Sequence, residues 1–291
     1  MQKAKKRLFS VTAVLLAVLV ALTALLPTAG AAQAATMKSK YTGKGYTHNA
    51  RFDKLEVLNG VDISAWQEKV TGKKIKNDGI DFAILRAGYG KNASQEDAYF
   101  AINFKNATAA GLPVGIYWYS YAKSVADVEK EARLCLQVLG SRTLDLPVFY
   151  DLEESRQLSK GKAFCTQLVE HFCSIIAAAG HTPGLYMSRS PLLDYIEQET
   201  RGRYALWVAE YGSKTCKYDG DYLMWQYADN GKVAGVNGNT DMDFLYGNKN
   251  SLPGSATLLK SKTYTGKAIT PTPTVTGRRM ANRWQADKIT P

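Results

Sequence analysis

Two carboxylates at the end of an apolar segment are the residues of this sequence best placed to do chemistry. The segment 146–153 reads LPVFYDLE, a short buried strand that ends in Asp151 and Glu153. Side chains alternate between the faces of a strand, so these two point the same way, with Cα atoms roughly 6.6 Å apart. Two acids this close do not both ionise cheaply at neutral pH, so one is expected to keep a proton. An acid beside a charged partner is what cleavage of a glycosidic bond requires. The alternative is a strand end with two solvated acids.

The elements that must position this pair predict a barrel. Apolar strand candidates alternate with helical stretches from Leu58 to about Gly247. The predicted strands are 57–63, 81–87, 114–120, 146–153, 184–188, 205–209, 223–227 and 242–245, with helices at 96–110, 125–139 and 162–179. This alternation is typical of a parallel sheet with helices outside it. Because no helical stretch separates the strands beyond Ala209, we expect a barrel without its last helices and with its chemistry at the carboxyl ends of the strands.

The flanking segments differ in composition from this region. Residues 1–34 combine four basic residues within positions 3–7, an apolar stretch at 11–26 and the small-residue sequence Ala32-Gln33-Ala34, which together predict a secretory signal peptide. An uncleaved membrane anchor is the alternative. Residues 35–57 are interpreted as a linker or arm and 58–250 as the barrel. The Thr/Pro/Lys-rich tail 251–291 resembles, from Tyr264, the start of a bacterial surface module with too few residues to complete one.

Charge and metal-ligating residues limit the classes of function. The formal net charge of +11 falls to +7 without residues 1–34, which favours anionic surfaces such as wall polymers. No basic run interleaves with aromatics as in nucleic-acid modules. The four cysteines and three histidines lack the spacing of a metal site, and there is no glycine-rich phosphate loop. The sequence therefore predicts a secreted, wall-associated monomer without nucleic-acid or stable membrane partner and without metal or cofactor. Disulfide pairing stays open.

Four short motifs, in order along the chain, give a resemblance to a known family. They are Gly60-Val61-Asp62-Ile63-Ser64, Tyr150-Asp151-Leu152-Glu153, Trp225-Gln226-Tyr227 and Thr240-Asp241-Met242-Asp243. With the sequences LRAGYG at 85–90 and LWVA at 206–209 between them, they resemble glycoside hydrolase family 25, the Chalaropsis-type lysozymes, over roughly residues 58–247. The resemblance implies an α/β fold, a flattened TIM-like (β/α)5(β)3 barrel. It also implies cleavage of the β-1,4 bond between N-acetylmuramic acid and N-acetylglucosamine in peptidoglycan glycan strands.

The resemblance further implies roles for the acids. Glu153 matches the general acid and base, and Asp151 matches the carboxylate that assists the reacting centre. Asp62 and Asp241 match outer acids that bind substrate and tune this pair, and Asp243 ranks below Asp241 as a substrate-binding residue. Attack by the substrate's own 2-acetamido oxygen, with retention of configuration, is the expected mechanism. A covalent aspartyl intermediate and inversion stay open.

Further side chains are candidates for binding the sugar or for structure. The aromatic candidates on strands are Tyr119, Tyr186, Trp225 and Tyr227, with Tyr186 and Trp225 in the contexts most like the family. Core packing is the alternative for all four. Arg86 is expected to pair with a strand-end acid, and Glu210 is a weaker candidate for the cleft. The acids Asp127, Glu129 and Glu131 are interpreted as a solvated helix face.

Two other functions compete with this hypothesis. A chitinase-like or endo-N-acetylglucosaminidase barrel also ends a strand in D-x-E, but the acids that chitinases carry at earlier alternate positions are replaced here by Leu146 and Val148. A wall-binding protein without turnover is the second alternative. The presence of all four matching acids argues against it.

Overall fold

The structure is a computed structural model that describes residues 36–247 and a pair of two-residue antiparallel strands, Ala256–Thr257 and Thr274–Val275. The predicted signal peptide 1–34 and nearly all of the predicted tail 251–291 lie outside the described residues. Among the described residues, no helix is long and apolar enough to cross a membrane.

The regular elements of residues 36–247 are ten strands and seven α-helices. The strands are β1 (Thr36–Lys38), β2 (Gly45–Thr47), β3 (Glu56–Ile63), β4 (Phe82–Tyr89), β5 (Val114–Tyr119), β6 (Val148–Asp151), β7 (Pro183–Ser188), β8 (Ala205–Ala209), β9 (Met224–Gly231) and β10 (Thr240–Gly247). The helices are α1 (Gly72–Asn77), α2 (Phe100–Ala109), α3 (Val125–Leu139), α4 (Ser155–Leu158), α5 (Lys162–Ala178), α6 (Arg189–Tyr195) and α7 (Gln198–Arg203).

Eight of these strands close into a barrel in the order β10-β3-β4-β5-β6-β7-β8-β9. The neighbours from β3 to β9 are parallel, and β10 is antiparallel to both β9 and β3. Helices follow each of β3 to β7, whereas the described chain has no helix between β8 and β10. The predicted (β/α)5(β)3 barrel is therefore confirmed, although the short helices α1, α4, α6 and α7 were not predicted.

Large aromatic side chains fill the base of the barrel. Phe82, Phe149 and Trp207 are buried inside it, and glycines on neighbouring strands make room for the phenyl rings. A Cβ at Gly60 would lie 2.1 Å from the ring of Phe82, and one at Gly184 would lie 2.4 Å from that of Phe149. A side chain at either glycine would thus displace the phenyl ring that packs against it. The packed base leaves polar side chains at the carboxyl ends of the strands.

The segment 36–55 is an arm that covers the outer face of β9 and β10, where the barrel has no helices. Its β1–β2 hairpin and the turn Ala50–Phe52 bring Tyr46 and Phe52 against these strands. Phe52 stacks on Tyr246 at 3.8 Å between ring centroids, and Tyr46 lies 4.5 Å from Tyr227. Aromatic burial by the arm thus takes the place of the missing helices.

Truncation of Tyr46 is expected to destabilise the protein. The ring is 3% exposed and contacts Trp225, Tyr227 and Phe244. Deletion of a buried aromatic side chain leaves a cavity, so Tyr46→Ala should lower the free energy of unfolding by about 3 kcal/mol. Urea denaturation measures the loss, with the exposed Met37→Ala on β1 as control. Equal stability of the two variants would show that the arm does not support the barrel.

Candidate active site

An open groove of about 280 Å³ lies at the carboxyl ends of the parallel strands. Its walls combine acids, one arginine and aromatic side chains from seven strands and the loops that follow them. The lining residues are Asp62, Ser64, Trp66, Gln67, Arg86, Tyr117, Tyr119, Asp151, Glu153, Tyr186, Trp207 and Asp241. Seven of them were predicted from the sequence, namely Asp62, Arg86, Tyr119, Asp151, Glu153, Tyr186 and Asp241.

The two acids of the D-L-E sequence lie at the end of β6. Asp151 is the last residue of the strand and is 4% exposed, and its Oδ1 atom has no hydrogen-bond partner among the described residues. Glu153 follows the strand end and is exposed at the groove. Tyr150, the residue before Asp151, points outward and stacks on Phe172 at 4.3 Å between centroids. The alternation expected of a strand therefore turns both acids into the same groove.

Both acids are harder to ionise than in water. Burial raises the pKa of Asp151 well above its usual range and the Glu153 charge raises it further, whereas Arg86 opposes the rise. Withdrawal from water in the groove raises the pKa of Glu153, the Tyr119 hydroxyl opposes this, and the Glu154 charge adds to it. The groove thus favours a pair that retains a proton near neutrality.

Two further acids face the pair from the neighbouring antiparallel strands. Asp62 on β3 and Asp241 on β10 are cross-strand partners. Burial raises the pKa of Asp62 well above its usual range, and the charges of Asp241, Asp243 and Asp151 raise it further. Burial, with Asp229 and Glu153, raises the pKa of Asp241 to about 6. The groove therefore gathers carboxyl groups that resist simultaneous ionisation, and a substrate that develops positive charge favours their ionised forms.

A buried amide that the sequence analysis missed holds Asp62 in place. Gln226 on β9 is fully buried, and its Nε2 atom donates to Asp62 Oδ2 at 3.1 Å. Its Oε1 atom accepts from the Tyr186 hydroxyl at 2.8 Å and from the hydroxyl of Tyr211. Gln226 is the middle residue of the Trp225-Gln226-Tyr227 motif, so the alternation of that strand was the available signal.

Trp225 and Tyr227 do not line the groove, which corrects the prediction that they stack on sugar. They are 0% and 1% exposed and pack against the arm, on the face of β9 opposite to Gln226. Asp243 is also away from the groove wall, because its Oδ1 atom accepts from Trp207 Nε1 at 2.7 Å inside the barrel. Glu210 pairs with Arg189 at 3.1 Å outside the lining.

Arg86 brings a positive charge to this acidic groove and is held by a buried acid. Its Nε atom donates to Asp97 Oδ2 at 2.8 Å, and Asp97 is 3% exposed. The same oxygen accepts from the backbone N–H of Ala65 at 2.9 Å. Arg86 thus pairs with an acid of the loop after β4 rather than with a strand-end acid, and it lowers the pKa of Asp62 and Asp151 from its fixed position.

Tyr119 is the lining residue that connects the groove to the loop beyond β6. Its hydroxyl donates to Glu154 Oε1 at 2.9 Å, and Arg156 pairs with the other oxygen of Glu154 at 3.2 Å.

No group of three or more His, Cys, Asp or Glu side chains in the described part of the chain is arranged to hold a metal ion.

Glu131 on α3 corrects the interpretation of a solvated helix face. It is 0% exposed, and its carboxylate accepts from the Ser120 hydroxyl at 2.8 Å, the Tyr150 hydroxyl at 3.2 Å and the Tyr121 N–H at 2.9 Å. Gln157 Nε2 donates to the same Ser120 oxygen at 2.8 Å. The network ties together the segments that follow β5 and β6, close to Tyr119 at the end of β5 and to Glu153 after β6.

This buried carboxyl makes stability depend on pH. Burial raises the pKa of Glu131 from 4.5 to about 7, so the native state binds its proton more tightly than the unfolded chain. The resulting stability is present below pH 4.5 and lost as pH rises through about 7. Glu131→Gln should remove this component, about 3 kcal/mol, from the difference between pH 4.5 and pH 8. Urea denaturation at several pH values across this range measures the change, with the exposed Glu129→Gln as control. The same dependence of the free energy of unfolding on pH in the parent and in Glu131→Gln would contradict the prediction.

Comparison with known proteins gives a consistent result. The sequence pattern of the family described as "Glycosyl hydrolases family 25" matches residues 61–236. The protein YegX of Escherichia coli strain CFT073 is 30% identical over 207 residues, which cover 68% of this chain and 72% of YegX. The autolytic lysozyme of Clostridium acetobutylicum is 26% identical over 186 residues, 64% of this chain and 55% of that protein.

Solved structures share the fold. The modular autolysin LytC of Streptococcus pneumoniae, in complex with a synthetic peptidoglycan ligand, superposes with a TM-score of 0.61 at 22% identity. The match covers 73% of this chain and 52% of LytC. The chain therefore spans about half the length of these two lytic proteins.

Proposed function

The chain belongs to glycosyl hydrolase family 25, and we propose that it cleaves the β-1,4 bond between N-acetylmuramic acid and N-acetylglucosamine in peptidoglycan. The observation that carries this proposal is the pair of Asp151 and Glu153 in one open groove, each with a raised pKa. Lysozyme relatives and the peptidoglycan complex of LytC support the substrate class.

We propose Glu153 as the general acid and base. It is the more exposed member of the pair and lies where a leaving-group oxygen could reach it. Its raised pKa favours retention of the proton that the leaving oxygen needs. Donation of that proton to the glycosidic oxygen assists departure of the leaving sugar, and the resulting carboxylate then takes a proton from the attacking water.

Asp151 is proposed to act as the charged partner. Burial is the larger cause of its raised pKa, and the second cause, repulsion by ionised Glu153, vanishes when Glu153 carries the proton. In that state Arg86 favours the Asp151 carboxylate, whose Oδ1 atom is unpartnered among the described residues. It would accept the N–H of the substrate's 2-acetamido group and orient its oxygen toward the anomeric carbon. The expected course is retention through an oxazolinium-like intermediate.

Five further lining residues are proposed to bind the sugars. Asp62 and Asp241 add two carboxyl groups opposite the pair, and Gln226 fixes the direction of the Asp62 side chain. Tyr119, Tyr186 and Arg86 complete the walls. We propose further that the mature protein is exported by the segment 1–34 and acts at the cell wall as a monomer, with its net positive charge favouring anionic wall polymers.

The new reducing end identifies the bond that is cut. Purified peptidoglycan is digested, the products are reduced with borotritide, and the labelled sugar is identified by mass spectrometry after hydrolysis. The proposal expects labelled muramic acid. Labelled glucosamine would contradict the proposal and support the endo-N-acetylglucosaminidase alternative. Binding to the wall without any labelled sugar would support the non-catalytic alternative.

A further inference from the structure

The indole of Trp66 is an exposed aromatic surface on the wall of the groove. It is 84% exposed, whereas Trp118, Trp207 and Trp225 are each 0–1% exposed. It lines the same groove as Asp62 and Glu153. Covering a large apolar ring that is exposed to water is favourable by about 25 cal/mol per Å² of buried apolar surface. An exposed indole on the wall of a groove therefore indicates a surface that a ligand can cover.

The turn that carries Trp66 is held firmly. Ser64 and Gln67 form a reciprocal capping box, in which the Gln67 backbone N–H donates to the Ser64 side chain and the Ser64 backbone N–H donates to Gln67 Oε1 at 3.0 Å. The backbone N–H of Trp66 also donates to Ser64 Oγ at 3.3 Å. Gln67 Nε2 donates to the Asn239 carbonyl at 3.1 Å. Asp97 anchors the Ala65 N–H through the oxygen that also holds Arg86. The backbone beneath the exposed ring is therefore fixed to the loops on both sides.

Backbone strain at the end of this turn supports the same conclusion. Glu68 has φ 55° and ψ −145°, a conformation that non-glycine residues rarely adopt. Such a residue costs about 1–3 kcal/mol and persists only where its surroundings impose it. Asn103 imposes it here, because its Nδ2 atom donates to the Glu68 carbonyl at 2.8 Å and its Oδ1 atom accepts from the Val70 N–H at 3.0 Å. The fold thus accepts a cost to keep this turn, and with it the ring, in place.

The position of Trp66 separates it from the bond that is cut. It follows β3, whereas Asp151 and Glu153 lie at the end of β6, and β4 and β5 lie between these strands in the barrel. With strands about 4.8 Å apart, the two walls are separated by up to about 14 Å along the sheet. A glycan strand that crosses the groove from the acids to Trp66 presents another pyranose ring there, and the apolar face of such a ring matches an indole.

Resting on the proposed function, we propose that Trp66 is a sugar-stacking residue that binds an N-acetylhexosamine ring outside the pair of sugars joined by the scissile bond. Stacking at this distance strengthens the hold on long glycan strands and leaves the reacting centre unchanged. The firm turn keeps the ordering cost of binding low.

The test compares Trp66→Ala with the parent on two substrates, an uncrosslinked glycan of alternating N-acetylglucosamine and N-acetylmuramic acid and its tetrasaccharide. The inference expects kcat/KM on the long glycan to fall about tenfold, with kcat at saturation little changed, and a smaller effect on the tetrasaccharide. Trp66→Phe should restore part of the loss, and Met37→Ala, exposed on β1, should behave as the parent. Equal kcat/KM of parent and Trp66→Ala on the long glycan would overturn it.

Binding read without turnover separates this inference from the proposed function. Acrylamide quenching of tryptophan fluorescence is measured in Glu153→Gln protein with and without the long glycan. Protection that disappears in the Trp66→Phe, Glu153→Gln double variant supports stacking whether or not the parent cleaves peptidoglycan. Protection that is the same in both overturns it. A parent that fails to release reducing ends overturns the proposed function alone.

Discussion

Glu153→Gln is expected to lower kcat on peptidoglycan about 10³-fold with little change in KM. Glutamine keeps the size of the side chain but has no proton to give to the leaving oxygen, and general acid–base catalysis is worth roughly 10² to 10⁴. Because Glu153 is exposed at the groove, the variant should fold as the parent does. The assay is the initial rate of reducing-end release, with circular dichroism as the check on folding.

The chemistry of the leaving group sharpens this test. The aryloxide group of an aryl glycoside departs without protonation. Cleavage of such a substrate by Glu153→Gln should therefore be impaired far less than cleavage of the natural bond. The matched control is Glu210→Gln, which removes another acid that follows a barrel strand but lies outside the groove lining. It should retain activity. A Glu153→Gln protein that cleared wall as fast as the parent would refute the assignment of the acid.

Asp151→Asn is expected to lower kcat by about 10² to 10³. The amide keeps the shape of the side chain at a position that is 4% exposed, but it loses the charge that stabilises the developing positive centre. Because burial raises the pKa of Asp151 and the change removes a buried charge, the free energy of unfolding should not fall. Rates and urea denaturation are measured on the same preparations.

A modified substrate isolates the contact with the acetamido group. Removal of the acetyl group from the sugar on the non-reducing side of the scissile bond should slow the parent to about the rate of Asp151→Asn. The variant should lose little more on that substrate, since both changes remove one interaction. Independent, multiplying losses would show that Asp151 acts without the acetamido group.

Strand alternation accounts for the part of the site that sequence reasoning predicted. The apolar run 146–150 defines β6, and a period of two then carries Asp151 and Glu153 to one face. The same period directs Asp62 and Asp241 into the groove from adjacent strands. The alternation of strands and helices was sufficient to predict the barrel. The lack of helical stretches beyond Ala209 was sufficient to predict that its last strands have no helices between them.

Alternation does not say which face of a strand is inside, and the prediction for β9 was wrong for this reason. Trp225 and Tyr227 share a face of β9, and Tyr46 of the arm covers that face. Residues 35–57 were interpreted from the sequence as a linker or arm and were not expected to pack on the barrel. Gln226 on the other face was consequently missed. The burial of Glu131 was equally invisible, because its partners Ser120 and Tyr150 are distant in sequence.

The anomer first released from a defined glycan tests the central claim most directly, since it reports how Asp151 and Glu153 share the reaction. Proton NMR during the first turnovers of a purified alternating oligosaccharide shows the configuration of the new muramic acid reducing end before mutarotation. The account predicts the β-anomer. Initial release of the α-anomer would mean direct attack by water and would contradict it.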